Sequence, residues 1–237
     1  MISIILPTFN EEHTIESSLR QFIKLKKKFD LELIVSDGGS TDNTVKIAKK
    51  LVDKIVVHQK SWVKTISEGR NKGAAKAKGD IIIFFDADVR LENPEKFFNA
   101  VIEKFKDPKI VGATCRTRAH LDEEKTFDRI FYSTMSSYIM FLNFIGVGAS
   151  WGCQMVRKKT FDKLKGYDCY LVAGEDFEFF HRLAKEGRIY FFNKLIIRKS
   201  PRRFRKLGYP RVLWQWFLNY LFSFFGKAYS KEWKPVR

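Results

Sequence analysis

The chain has little cysteine, little acid and no secretory leader. Its three cysteines, Cys115, Cys153 and Cys169, are odd in number, widely spaced and without a histidine at metal-ligand spacing. That excludes a disulfide framework and a zinc site and leaves reduced thiols as the expectation. Met1 runs directly into Ile2-Ser3-Ile4-Ile5-Leu6, with no basic leader or small-residue cleavage site, so a cytoplasmic location is expected. Internal repeats and low-complexity linkers are absent, and 237 residues suit one large domain. The 27 acids face 44 bases, a formal charge of +17 that invites a nucleic-acid reading. Distribution argues otherwise. From Arg198 to Arg237 there are 11 basic residues and one acid, so the excess is mostly carboxyl-terminal. Trp214, Trp216, Phe217, Tyr220, Phe222, Phe224, Phe225, Tyr229 and Trp233 share that segment, a composition closer to a membrane-surface element than to a duplex reader.

What is present is an alternation of strand and helix. After the strand at residues 2–6 comes Pro7, then Asn10 as an expected helix N-cap with Glu11 and Glu12 in the first turn, and Ile15, Leu19, Phe22 and Ile23 as an apolar face. Leu31 to Ser36 reads as a second strand ending in Asp37-Gly38-Gly39-Ser40-Thr41-Asp42, and Val45, Ala48, Leu51 and Val52 mark a helix. Ile55 to His58 is a third strand, followed by a helix around Thr65 to Ala77. Ile81-Ile82-Ile83-Phe84-Phe85 has the pattern of a strand covered on both faces. The rhythm continues with a helix at Pro94 to Phe105 and a strand at Ile110 to Arg118. Later come a strand at Cys153 to Val156, a helix opening at Gly174-Glu175-Asp176 and a strand near Ile189 to Ile197. The predicted fold class is α/β: a mostly parallel central sheet with helices on both faces, plus a C-terminal aromatic amphipathic helix.

Asp86-Ala87-Asp88 leaves the Ile81–Phe85 strand at its carboxyl end. In open α/β sheets ligands bind there, and two hard oxygen donors suit Mg²⁺ or Mn²⁺ carrying a phosphate; the other reading is a pair of acids capping the next helix. Pro7-Thr8-Phe9-Asn10-Glu11, Asp37-Gly38-Gly39-Ser40-Thr41-Asp42, Gly69-Arg70-Asn71-Lys72-Gly73, Asp86-Ala87-Asp88 and Gly174-Glu175-Asp176 occur in an order and spacing that resembles the inverting family-two glycosyltransferases with the nucleotide-sugar-binding GT-A fold. The resemblance covers residues 2 to about 190.

The resemblance implies that Pro7, Thr8, Asn10 and Glu11 lie against the nucleotide and Asp37 on an imino or amino edge of its base, with Gly38-Gly39 letting the backbone pass close. It puts Arg70 and Asn71 against the diphosphate, and a divalent ion on Asp88, with Asp86 on the ribose or on metal-bound water and Ala87 between them. Asp176 matches the family's base and Glu175 the residue that orients it or the acceptor. Trp151 and Gly152 fall in the acceptor-side segment, and Arg202 and Arg203 where related enzymes close a basic element over the diphosphate. The Gln-x-x-Arg-Trp signature of processive synthases is missing, which implies transfer of a single sugar. Taken singly, each motif has a structural alternative: a turn at Asp37-Gly38-Gly39, an exposed helix charge at Arg70, a dipole-favoured helix start at Glu175-Asp176, core packing at Trp151, solvated or phospholipid-facing charge at Arg202 and Arg203.

Two further segments are unusual. Phe127 to Trp151 has only two formal charges, Asp128 and Arg129, both near its start, and is too apolar for an ordinary solvent-facing helix. Between Arg211 and Lys227 the polar residues Arg211, Gln215, Asn219, Ser223 and Lys227 recur every four positions in an otherwise apolar helix. Val212 to Phe225 would span about 21 Å, short of a hydrocarbon core of about 30 Å. An in-plane membrane helix, or one packed against Phe127 to Ile145, is expected, with Arg202, Arg203, Arg205, Lys206, Arg211, Lys227, Lys231 and Lys234 toward anionic headgroups. The expected organisation is a catalytic domain at 1–200, with a nucleotide-sugar half (1–118) and an acceptor half (119–200), and a basic aromatic segment at 201–237. The expected partners are a UDP- or GDP-linked sugar, a lipid-linked or glycan acceptor, and an anionic membrane at the inner face of the cell membrane. A polyprenyl-phosphate acceptor and a non-catalytic nucleic-acid or membrane-binding module are the alternatives.

Overall fold

The computed structural model describes residues 1–58 and 65–223, with side chains through residue 219. The elements are β1 (Ile2–Thr8), α1 (Ile15–Ile23), α2 (Lys26–Phe29), β2 (Leu31–Asp37), α3 (Thr44–Ala48), β3 (Lys54–Val57), α4 (Ile66–Ala74), β4 (Ile81–Phe85), β5 (Arg90–Leu91), α5 (Pro94–Lys104), β6 (Ile110–Ala119), α6 (Thr126–Phe144), β7 (Cys153–Arg157), α7 (Lys158–Lys163), α8 (Glu175–Ala184), β8 (Arg188–Lys199), α9 (Arg202–Leu207) and α10 (Tyr209–Ser223). Among the described residues eight strands form one sheet in the order β3-β2-β1-β4-β7-β6-β8-β5. β3, β2, β1 and β4 are parallel, as the βαβα rhythm predicts.

The apolar run in β4 is buried from both sides. Ile82 and Phe84 pack with Ala74 of α4 and Phe179, Phe180 and Leu183 of α8, whereas Ile83 and Phe85 pack with Phe22 of α1 and Phe97 and Phe98 of α5. The Phe85 and Phe22 rings stack at 5.5 Å. Period-two alternation thus feeds two helical layers from one strand. A third cluster, Ala119, Tyr132, Ile139, Ala149, Trp151, Phe204 and Val212, joins α6, α9 and α10 to the far end of the sheet.

The second half departs from a simple parallel repeat. β7 runs antiparallel between β4 and β6, with Phe85 opposite Cys153, and the short β5, unanticipated in the sequence, pairs antiparallel with β8. The reversal has a consequence for chemistry. β7 starts at the edge where β4 ends, which brings Gly152 beside Asp86.

Three local expectations need correction. The first helix begins at Ile15, not at Asn10. Asn10 has φ 52°, and the N–H groups of Asn10, Glu11 and Glu12 donate to Ser40 Oγ, Thr44 Oγ1 and Asp42 Oδ2, so the neighbouring loop takes the donors that a helix start would leave free. The apolar segment after Phe127 does form a helix, α6, but only Asp128, Tyr132, Ser136 and Ile139 are buried on it, and its other side faces outward. In α10 the polar stripe is not the outer face, because Asn219 is fully buried and donates to the Gln215 carbonyl while Trp214 and Phe217 are exposed. α10 packs on α9 and α8 and meets α6 where Tyr209 contacts Phe127 and Phe131. Phe224, Phe225, Lys227, Tyr229, Lys231, Trp233 and Lys234 lie outside the described residues.

Gly148, in the turn after α6, sits at φ +79° with its α-carbon against α8, where a β-carbon would meet the Phe180 carbonyl oxygen and the Ala184 methyl. Gly146 has φ +78° and open space around it. Gly146→Ala is therefore expected to cost about 1 kcal/mol for the left-handed backbone alone, and Gly148→Ala about 2–4 kcal/mol. Urea denaturation of the two variants checks the difference.

Candidate active site

The carboxyl ends of β1, β2 and β4 and the start of β7 border one cleft of about 360 Å³. Pro7, Thr8, Glu11, Arg70, Asp86, Ala87, Asp88, Trp151, Gly152, Glu175, Asp176, Arg202 and Arg203 all line it, although they come from segments up to 196 positions apart. The sequence thus identifies most of the lining. Asn10, Asp37, Gly39 and Asn71 stand behind it.

Asp37 ends β2 opposite Thr8 and is fully buried. Its carboxylate accepts from Thr8 Oγ1 (3.0 Å), Ser40 Oγ (2.5 Å) and the N–H groups of Gly39 (3.0 Å) and Ser40 (2.7 Å). Four donors fill a carboxylate's acceptor capacity. Contact with a base at Asp37 thus requires a donor such as the Ser40 hydroxyl to rotate away. Asn10 accepts the Thr41 N–H (2.7 Å) and closes the same loop, where Gly39 takes φ +86°. Asn71 turns from the cleft: its Nδ2 donates to the Tyr167 carbonyl (2.8 Å) and its Oδ1 accepts the Tyr167 N–H (2.9 Å). In this structure Asn71 ties α4 to the loop before α8 and does not face the position expected for a diphosphate.

Arg70 is the centre of the floor. It is 2% exposed, and its Nη1 donates to Glu175 Oε1 (2.9 Å) and Asp176 Oδ1 (2.6 Å), while Nη2 lies 3.6 Å from Asp86 Oδ1. Nη1 is thus committed to two carboxylates, whereas the buried Nε has no hydrogen-bond partner among the described residues and Arg70 still lines the cleft. Two residues that sequence reasoning missed complete the network. Lys199, the last residue of β8, places Nζ 2.6 Å from Asp86 Oδ2, and Gln154, the second residue of β7, donates from Nε2 to Asp176 Oδ2 at 3.0 Å. Gln154 had a usable signal, a lone amide in the apolar run Cys153 to Val156. Lys199 had none beyond its place before the basic run, since only the antiparallel pairing of β8 with β5, just after Asp88, brings the end of β8 to the exit of β4.

Burial and charge set the protonation of these acids in opposite directions. Burial alone would raise Asp86, but Lys199 and Arg70 outweigh it and hold its carboxyl below the usual range. For Asp176 burial dominates; Arg70 opposes it, Glu175 and Asp86 add repulsion, and the carboxyl is pushed up to about 8. Burial pushes the Arg203 guanidinium down to about 10, and Glu175 partly restores it. Arg202 reaches across to Glu11, 3.3 Å from both carboxylate oxygens. Trp151 is 6% exposed and packs against Tyr132, Phe131, Phe204 and Trp216, so the core reading holds for most of its ring while one edge borders the cleft.

Asp88 is different from its neighbours. It lines the cleft and has no hydrogen bond or ion pair to any described residue. Asp86, Asp88, Glu175 and Asp176 face Arg70 and Lys199 in the floor, so acids outnumber bases there by two. Among the described residues no cluster of three or more His, Cys, Asp or Glu could enclose a metal. The pair Asp86 and Asp88 therefore fits a hard divalent ion that takes its other oxygens from water and a substrate phosphate.

Removing the shared cation should leave buried acids unpaired. Arg70→Ala is expected to lower stability by about 3–5 kcal/mol in urea denaturation. Because the Asp176 carboxyl is raised from 3.8 to about 8, the folded state binds the extra proton and wild-type stability falls as pH climbs between those values. Asp176→Asn should therefore melt progressively higher than wild type as pH increases from 5 to 8.

Comparison with known proteins agrees with this geometry. A profile described as glycosyl transferase family 2 matches residues 3–165. Human dolichyl-phosphate beta-glucosyltransferase is 30% identical over 152 residues, 58% of this chain and 47% of that protein, so the chain spans about half the length of this relative. A Methanococcus voltae dolichyl N-acetyl-alpha-D-glucosaminyl phosphate 3-beta-D-2,3-diacetamido-2,3-dideoxy-beta-D-glucuronosyltransferase is 27% identical over 263 aligned positions, covering 93% of this chain and 79% of its own. Among solved structures, a Pyrobaculum calidifontis mannosyltransferase in complex with GDP-Man and Mn²⁺ superposes with TM-score 0.70 at 19% identity, over 99% of this chain and 65% of that one. Mycobacterium tuberculosis glucosyl-3-phosphoglycerate synthase in complex with Mn²⁺, UDP and its product gives 0.61 at 20% identity, over 97% and 81%. The fold is that of the GT-A glycosyltransferases, and the chain belongs to glycosyl transferase family 2.

Proposed function

We propose that this glycosyltransferase moves one sugar from a UDP- or GDP-linked donor to a hydroxyl of a lipid-linked or cell-surface glycan, with inversion at the anomeric carbon. Asp176 carries the reading. A partly buried carboxyl pushed up to about 8, on a cleft wall shared with Gly152 and Trp151, is a base matched to neutral pH. Gln154 and Arg70 fix both of its oxygens, which orients the carboxylate for an acceptor hydroxyl, and Glu175 shares the Arg70 clamp beside it.

At the other end Pro7, Thr8 and Glu11 would border the nucleotide, with Asp37 and Gly39 shaping the loop beneath its base. Lys199, Arg202 and Arg203 would meet the leaving diphosphate. Mn²⁺ or Mg²⁺ held by Asp88 and Asp86 would offset the charge that grows on that diphosphate as the glycosidic bond breaks. The similar structures solved with GDP-Man or UDP and Mn²⁺ support a donor and ion of these classes. One deprotonated carboxylate then suffices. Asp176 takes the hydroxyl proton as its oxygen attacks from the face opposite the diphosphate, and the configuration inverts.

A second reading is favoured by the relatives named for dolichyl phosphate and by three cations on one side of the cleft: the acceptor is a polyprenyl phosphate, already ionised, and needs no base. The two readings separate at Asp176. On a hydroxyl acceptor, Asp176→Asn should keep the melting shift induced by nucleotide sugar with Mn²⁺ and lose about 10²–10⁴-fold in turnover. Unchanged turnover, with sugar accepted by bare polyprenyl phosphate, would select the second reading.

Two companion measurements test the same site. Asp88→Ala should abolish the Mn²⁺-dependent part of the donor-induced melting shift. For wild type, kcat/KM should rise about tenfold per pH unit and level off above about 8, because only ionised Asp176 accepts the proton.

A further inference from the structure

The outer side of α6 is a largely apolar face. Phe127, Ile130, Tyr138, Phe141, Phe144 and Ile145 are each at least half exposed, and Phe144 reaches 87%. All six fall on one side of a helix about 28 Å long, a side that also carries the exposed hydroxyls of Thr134 and Ser137 between Ile130 and Phe141. Arg129 is the one exposed charge between residues 126 and 145; Asp128 is buried against Arg205 and Tyr209. A monomer in water has no reason to expose such a stripe.

α10 repeats the pattern beside it. Trp214 and Phe217 are more than half exposed and stack at 5.6 Å, next to exposed Arg211. The two helices meet where Tyr209 packs on Phe127, at the border of the outer face, and on Phe131. The apolar end of the cleft, lined by Trp151, Phe204 and Trp216, is built from this same cluster.

We propose that the outer face of α6, with Trp214 and Phe217 of α10, is a docking surface for an anionic lipid bilayer, and that it sets the apolar end of the cleft against the membrane. Among the described residues no helix is long and apolar enough to cross a membrane, so α6 would lie in the plane of the interface. Charge selects this occupant over a second copy. A chain at +17, with 11 bases and one acid after residue 197, is drawn to anionic headgroups and repelled by itself. The purpose of the surface rests on the lipid-linked acceptor proposed above, whose hydrocarbon tail would leave the cleft along this apolar wall.

The test is sedimentation of the full chain with vesicles of phosphatidylglycerol and phosphatidylcholine, and with phosphatidylcholine alone. Wild type should pellet with the anionic vesicles and much less with the neutral ones. Phe141→Gln with Phe144→Gln should weaken that binding about tenfold or more, and Trp214→Gln with Phe217→Gln should weaken it independently. Neither pair should change the melting shift induced by nucleotide sugar. The proposal is overturned if wild type ignores anionic vesicles, if the α6 pair binds them as wild type does, or if light scattering finds a wild-type dimer that the α6 pair dissolves without altering vesicle binding. Vesicle binding that behaves as stated, in a protein that transfers no sugar to any acceptor, would leave the docking surface standing and remove the proposed function.

Discussion

Everything in the cleft depends on one guanidinium held away from water. Arg70 on α4 is shared by Glu175 and Asp176 at the start of α8 and by Asp86 at the end of β4. Three carboxylates cannot gather in a buried floor without a cation among them, and a cation there cannot be stable without carboxylates. The arrangement therefore holds three elements in register at once. The Tyr167 ring, 5.1 Å from the guanidinium, covers one side. Lys199 supplies the second cation and gives Asp86 the larger share of its compensation, which leaves Asp176 as the acid least supported by charge.

That imbalance links packing to chemistry. Asp86 and Asp176 are both partly buried carboxylates around the same arginine, yet one is held ionised and the other is pushed up to about 8. The difference comes from Lys199, which contacts Asp86 and not Asp176. Asp88 has no hydrogen bond or ion pair among the described residues, which leaves its oxygens open to the cleft. A single cleft thus holds a committed acid, a poised acid and an open one, each set by its neighbours rather than by its own chemistry.

Much of this was legible in the sequence because it follows from local periodicity. Ile81–Phe85 alternates between two helical layers as its apolar run demands, and the motifs lie where parallel strands end. Less legible were features that depend on pairing across distance. The start of the first helix was misplaced because Ser40, Asp42 and Thr44, some thirty residues on, take the backbone donors of Asn10 to Glu12. The antiparallel entry of β7 leaves no local trace, since an antiparallel strand flanked by buried neighbours reads like a parallel one. Arg70 and Asn71 sit side by side in the chain, yet one forms the cleft floor and the other braces a loop; only the helix phase against α8 separates them.

The sequence by itself determined the α/β class, the two-sided burial of β4 and the inventory of acids and bases at strand ends, because strand and helix periods and turn chemistry act over a few residues. It also determined an excess of apolar surface in α6. Tertiary structure decided which acids share a cation, which stays open, and which apolar side of α6 is left outward. Those outcomes are fixed by sheet order, which brings Lys199 and Gln154 to Asp86 and Asp176, and by a third core that could cover only one face of α6.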